Sequence, residues 1–441
     1  MAGVDRISAL PEETKMFILS LLPITDAVRT SVLSPSWRHL WTLLPGFAAD
    51  VIFVGAPDRH NTILRWTEIV GRNLSSLRGP IHHFSLRYYY RPSLPCRLQD
   101  FLDVISQKDA LQTISLYCVG HRLQVQLPFF RLLRDLDLSW LDIILPSDFT
   151  GFEQLTSLKL RRVGISQQDI QLLIDGSKKL TSIDCLLCSD RINDDTEQPL
   201  SVTFNCPLLK YLCFNFCKNS AEARIISAPS LEKACVTASS LVIAPPLEKL
   251  VWVGVATLRF LAGAAQVSHL SLDLDVLKSL SRVDVPPTPQ IHFHQLRCLE
   301  LIGVMFYMDR RMYKVFCSLL RSMPFLERLE LECDEPMGYE ERLNELDPIT
   351  PNEYKKKEAG YLCLDQTLRR VAISIESLGD IENLMWMIHF ILLNANVLEL
   401  MKIKYSNDNS KVKSSLLEKF CEVEKASSVS QVVFVDITNE I

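Results

Sequence analysis

The apolar positions of this chain fall into a hexamer that keeps returning. The template is L-x-x-L-x-L, with other apolar residues standing in for some leucines. It reads Leu111-Ile114-Leu116, Leu133-Leu136-Leu138, Leu155-Leu158-Leu160, Leu180-Ile183-Cys185, Leu209-Leu212-Phe214, Leu231-Ala234-Val236, Leu247-Leu250-Trp252, Val267-Leu270-Leu272, Leu296-Leu299-Leu301 and Leu326-Leu329-Leu331, with Ile81-Phe84-Leu86 ahead of them. The steps from 111 to 180 are 22, 22 and 25 residues, and later steps widen to 29 and 30, so some repeats carry insertions. One such hexamer describes any buried strand, whereas ten in order at repeat spacing describe a solenoid. Each repeat supplies one short strand, stacked in parallel so that its apolar face is buried by its neighbours. Side chains alternate along a strand, so the residues between the leucines face the concave side. Those positions include Asp135, Asp137, Lys159, Asp184, Tyr211, Lys233, Lys249, His269, Glu300, Arg328 and Glu330. Among them Asp137, Lys159, Tyr211, Lys233, Lys249, His269 and Arg328 are the candidate contacts for a protein target.

Ahead of the repeats the period becomes helical. Pro11 suits a first helical turn, and Glu12 and Glu13 then sit at the positive end of the helix dipole. Phe17, Ile18, Leu21 and Leu22 recur at helical spacing until Pro23 stops the run. Thr25 caps a second helix through Ala27, Val28 and Val32. Ser34-Pro35 opens a third, through Trp37, Leu40 and Trp41, which ends before Pro45. Three short helices with this much apolar surface either pack on the rest of the chain or dock on another protein. Within residues 1–47 the charges cancel, as a hydrophobic docking unit requires.

Beyond Leu331 the pattern breaks into a polar stretch from Glu332 to Lys357, which reads as a linker or long surface loop. It resumes with a strand at Leu368–Ile373 and a helical stripe of Ile381, Leu384, Met385, Ile388, Ile391 and Leu392. Asn394–Ile403 and Val432–Val435 follow.

Composition narrows the function. A net charge of -5 over 441 residues argues against nucleic acid as the main partner, since phosphate binding needs a basic stripe. Thirteen cysteines, an odd number, with no secretory leader in the first residues, fit reduced thiols in the cytoplasm or nucleus. No membrane span is read: the apolar stretch 241–267 is broken by Pro245, Pro246, Glu248, Lys249 and Arg259. Cys185 and Cys188, with Cys206, Cys213 and Cys217, have the look of zinc ligands, but the repeat register explains them better as core thiols. No phosphate-binding glycine loop, G-x-S-x-G elbow or H-E-x-x-H pair is present. The sequence therefore carries no catalytic residues, no metal ligands and no cofactor site.

The N-terminal segment resembles the F-box, and its plant-type subfamily closely, at Leu10-Pro11, Ile18-Leu19, Leu22-Pro23, Val28, Ser31-Val32-Leu33-Ser34, Trp37-Arg38 and Leu40-Trp41. Thr14-Lys15 departs from it, standing where the family often has an apolar pair. The C-terminal run Asn394-Ala-Asn-Val-Leu-Glu-Leu-Met-Lys-Ile403 resembles the FBD domain that closes many plant F-box/leucine-rich-repeat proteins. The resemblance implies an α/β fold: a three-helix F-box at 4–47, an irregular leucine-rich-repeat solenoid at 48–350 and an FBD-type α/β cap at 351–441. It also implies a non-catalytic substrate-recognition subunit of a Skp-cullin-F-box ubiquitin ligase. Leu10, Pro11, Ile18, Leu19, Leu22, Pro23, Val28, Val32, Leu33, Trp37, Leu40 and Trp41 would bind the Skp-type adaptor, and the repeats an unknown target protein. The alternative is a leucine-rich-repeat binding scaffold acting outside a ubiquitin ligase.

Overall fold

A computed structural model describes residues 6–22, 24–51, 59–90, 97–186, 188, 201–215, 222–237, 255, 257–281, 283, 291–303, 309–333, 359–375, 381–405 and 425–436. The chain divides into two compact units, Met1–Glu197 and Gln198–Ile441. The division falls among the repeats.

The first unit is built on parallel strands Gly46–Val51, His83–Tyr90, Thr113–Gly120, Asp135–Ser139, Ser157–Arg161 and Ser182–Leu186, paired in that order. The register lines the hexamer residues into two buried columns. Phe84, Ile114, Leu136, Leu158 and Ile183 form one, and Leu86, Leu116, Leu138, Leu160 and Cys185 the other. Each buried leucine contributes about 2–3 kcal/mol relative to exposure, so a repeat is stable only with neighbours on both sides. A second layer did not stand out in the sequence: short strands Leu123–Gln126, Leu141–Ile144 and Gly164–Ile165 pair in parallel beside the main sheet. Gly151 and Gly176 let two connecting turns meet. A side chain at Gly151 would come within 2.3 Å of the Gly176 backbone, and Gly151 itself has φ +115.

The N-terminal segment belongs to this unit. Helices Glu12–Ser20 and Ile24–Arg29 are followed by 3-10 turns at Thr30–Val32 and Leu40–Leu43. The expected third α-helix is therefore only a series of turns ending in a 3-10 helix, and Thr25 lies inside the second helix, not at its cap. Phe47 stacks on Phe84 with ring centres 5.6 Å apart. The amides of Arg78 and Gly79 donate to the Thr42 carbonyl at 2.8 and 3.1 Å. A side chain on Gly79 would strike the Leu43 carbonyl oxygen at 2.9 Å, so glycine is what lets the chain return this close.

The second unit continues the same construction through Tyr211–Asn215, Lys233–Thr237, His269–Asp273, Cys298–Ile302, Arg328–Cys333, Arg370–Ile375, Leu400–Tyr405 and Gln431–Asp436, all parallel. The hexamer at Leu247 lies outside the described residues, and its neighbours Lys233–Thr237 and His269–Asp273 pair directly with each other. The polar stretch after Leu331 is likewise outside them beyond Cys333. Strands Ser201–Asn205 and Glu222–Ser227 form a separate pair.

The last three strands extend the ladder in the manner of further repeats. Helix Ile381–Asn394 packs on helix Arg310–Ser322 through edge-to-face aromatic pairs, Tyr313 on Trp386 at 5.1 Å and on Phe390 at 5.8 Å, and Tyr361, just ahead of the short helix Leu362–Gln366, meets Phe390 at 5.5 Å.

Candidate functional site

The N-terminal segment divides its apolar residues into a buried and an exposed set. Leu19, Ile24, Ala27, Trp37, Leu40 and Trp41 are buried. Lys15 is buried with them, its ammonium donating to the Ser8 carbonyl at 2.7 Å and to Ser36 Oγ at 3.1 Å and lying 5.9 Å over the Trp37 ring. The polar departure at this position is thus absorbed as a tie between the first helix and the turns around Trp37. Ile7, Phe17, Leu21, Leu22, Val32, Leu33 and Leu43 are instead exposed, Val32 at 87% and Leu21 at 69%. Seven large apolar side chains of this one short segment thus stand in water.

This sorting divides the twelve residues read from sequence. Leu19, Trp37, Leu40 and Trp41 are buried within the chain. Leu22, Val32, Leu33 and Pro11 are exposed, and Leu10, Ile18 and Val28 are half-buried, while Pro23 lies outside the described residues. Phe17 and Leu21 face outwards although their spacing reads as a core stripe. The inward stripe of this helix is Lys15 and Leu19, one turn apart, which a lysine conceals from a hydrophobicity scan.

The open face of the first unit's sheet carries a second feature, a cleft of about 660 Å³. Its walls include Arg87, Tyr117, Asp137, Trp140, Arg161 and Arg162. Asp137 and Lys159 are register partners and both half-exposed, Asp137 in the cleft wall. Asp184, read as exposed, is buried, because the Arg161 guanidinium lies against its carboxylate at 3.0 Å. The residues that follow each hexamer, Arg87, Tyr117 and Arg161, escaped the sequence reading. Aligning the repeats one position past the last leucine would have put them in one column.

A family model described as the leucine-rich repeats of FBD-associated F-box protein At5g56370 matches residues 104–331, and the F-box domain model matches residues 7–47. The chain belongs to the FBD-associated F-box/leucine-rich-repeat family. Similar proteins of Arabidopsis thaliana carry the same architecture in their names. The F-box/FBD/LRR-repeat protein At1g13570 is 23% identical over 98% of both chains. The FBD-associated F-box protein At3g52670 is 26% identical over 63% of this chain and 67% of its own. The F-box/LRR-repeat protein At3g26922 is 45% identical over 17% of this chain and 23% of its own. An F-box joined to leucine-rich repeats is the arrangement of a substrate-recognition adaptor of the F-box type, and no enzyme family is indicated.

In the second unit the repeats of this F-box/leucine-rich-repeat chain bring three separate hexamers together on Glu300. His269 Nε2 lies 3.4 Å and Lys233 Nζ 3.6 Å from its carboxylate. Contact with His269, and the charge of Lys233, hold the Glu300 carboxyl down at about 2. Tyr211 is beside Lys233 in register, Arg328 is exposed near Glu330, and Lys249 lies outside the described residues.

The ten described cysteines are buried. Burial pushes the Cys298 thiol up to about 11 and the Cys363 thiol up to about 12, so both stay protonated and unreactive. Cys188 donates to the Leu160 carbonyl at 3.4 Å, as an inward residue closing its repeat. Among the described residues no three His, Cys, Asp or Glu side chains converge as a metal site would require. No described helix is long and apolar enough to cross a membrane.

Proposed function

We propose that this chain is the substrate-recognition subunit of a Skp-cullin-F-box ubiquitin ligase, acting in the cytoplasm or nucleus. The F-box, residues 4–47, docks on a Skp-type adaptor through Phe17, Leu21, Leu22, Val32 and Leu33, with Leu10, Pro11, Ile18 and Val28 at the margin. The repeats, within 48–350, hold a target protein, and residues 351–441 lengthen the repeat stack. The chain does no chemistry itself. It raises the local concentration of the target beside the transferring subunits, which is how proximity accelerates a bimolecular step.

The observation that carries this reading is the set of large apolar side chains, Phe17, Leu21, Val32 and Leu33 among them, that the F-box leaves in water. A scaffold whose F-box served only to pack on the repeats would have no use for them. The test is capture of a purified Skp-type adaptor by the full-length chain. The double substitution Val32→Asp with Leu33→Asp should weaken capture at least a hundredfold, while the thermal midpoint stays within about 2 °C, as exposed substitutions generally do. Undiminished capture by the double variant would favour the scaffold.

A further inference from the structure

The concave face of the second unit gathers cations on its last strands, in a chain whose net charge is -5. Elsewhere in this unit the charges on neighbouring strands answer one another. Lys210 pairs with Glu232 at 3.3 Å, Arg297 with Glu327 at 2.8 Å, and Arg369 with Glu399. Where two acids meet in register, at Glu300 and Glu330, each has a cation of its own. Glu300 has His269 and Lys233, and Glu330 has Arg328 at 4.0 Å. Arg328 and Arg370 also meet in register, both exposed and about 4.8 Å apart at the backbone. Like charges set opposite each other destabilise a sheet. Among the described residues the Arg370 side chain has neither an ion pair nor a hydrogen bond.

The next strand keeps this character. Lys402 and Lys404 stand on the same face, and their register partners are uncharged: Ala372 and Ser374 on one side, Val433 and Val435 on the other. Ala372 occupies the position at which the two preceding strands carry Glu300 and Glu330. An acid there would answer Arg370 as Glu330 answers Arg328. Beside Arg370 in register comes Leu400, which is half-exposed, and Val433 beyond it is 40% exposed. A cation without a counter-ion thus adjoins apolar surface.

We propose that this face takes a short extended segment of the target protein, in which an acidic residue is followed two positions later by an apolar one. The carboxylate lies at Arg370, with Arg328 beside it, and the apolar side chain covers Leu400 and Val433. The C-terminal strands then share in binding, beyond lengthening the stack. This rests on the reading of the repeats as the target-binding part. A guanidinium binds a carboxylate through two parallel N–H bonds. From between the two arginines to Leu400 is one and a half strand steps, about 7 Å. An extended chain covers that in two residues, which also brings both side chains to one face. Nucleic acid fits less well, since a phosphate backbone needs an unbroken run of cations and Glu330, Leu400 and Val433 interrupt this one.

In the experiment a displayed library of random ten-residue peptides is depleted on the full-length Arg370→Glu variant and then selected on the full-length wild type. Recovered peptides are measured by fluorescence polarisation. They should carry Asp or Glu with an apolar residue two positions on, and lose at least tenfold in affinity when the acid becomes its amide. Arg370→Glu should bind them at least tenfold more weakly yet melt no lower than wild type, because the new carboxylate answers Arg328. An arginine with a merely structural role would lower the melting point on reversal. Arg370→Gln, which removes only the charge, should show the same loss of binding. Recovery of no peptides, or of peptides without acids, overturns the proposal, as does wild-type binding by Arg370→Gln. A fluorescent single-stranded oligonucleotide held by the wild type and released by Arg370→Glu overturns it too. Adaptor capture is measured on the same preparations. Capture without acidic-peptide binding sinks this inference alone, and peptide binding without capture sinks the ligase reading alone.

Discussion

Trp37 and Val32 stand five residues apart in the F-box and do opposite work. Trp37 is buried over Lys15 and fills the segment's interior, whereas Val32 makes almost no contact with its own chain. Trp37→Ala should therefore cost about 3–5 kcal/mol in urea unfolding and weaken adaptor capture only by unfolding the segment. Val32→Asp and Leu33→Asp should do the reverse. Glu300 offers a test of a different kind. Its folded carboxyl is held at about 2, below the ordinary 4.5, so its pairing stabilises the fold above about pH 4.5 and is lost as pH falls towards 2. The urea midpoint of wild type should exceed that of Glu300→Gln at pH 6, and the gap should shrink through that window. A gap that stays constant with pH would mean that the carboxylate charge is not what matters.

At the scale of elements, the strands are where the hexamers put them, because alternation leaves one register that buries both leucine columns. The helices between strands owe more to their caps. Asp309 accepts from the Met312 amide at 2.8 Å at the start of Arg310–Ser322, and Asp273 does the same for Val276 at 2.8 Å before Leu274–Leu280. Asp309→Ala should cost about 1 kcal/mol in chemical unfolding, within the usual range for a lost N-cap. The strand Leu123–Gln126 and its partners were harder to read, since four residues with two apolar positions look like any loop. The third F-box helix failed for a physical reason: Ser34-Pro35 is a fair start, but Trp37, Leu40 and Trp41 are drawn into the core by turns of 3-10 geometry, and tertiary burial overrides the local signal.

On the scale of the whole molecule, the F-box and the first repeats fold as one body. Removing residues 1–47 would take Phe47 from Phe84 and uncover the surface that Leu40, Trp41 and Leu44 help bury. The remaining chain should melt roughly 10 °C lower in calorimetry, the shift expected for a loss of several kcal/mol in a unit of this size. An unchanged midpoint would show instead that the F-box is an independent appendage. The candidate site is likewise assembled by stacking: Arg87, Tyr117, Trp140 and Arg162 come from successive repeats and meet only when the strands pair.

The sequence by itself determined the repeat architecture and the family, because burial of alternating leucines and the density of the F-box motif are local properties that a linear pattern records. It did not determine which F-box residues face water, since a motif records what is retained at each position and not on which side it lies. Only the tertiary structure decided that Leu19, Trp37, Leu40 and Trp41 are core, that Phe17 and Leu21 are surface, and that arginines from separate repeats share one cleft. Those outcomes depend on which faces meet when repeats stack, a relation between segments distant in the chain.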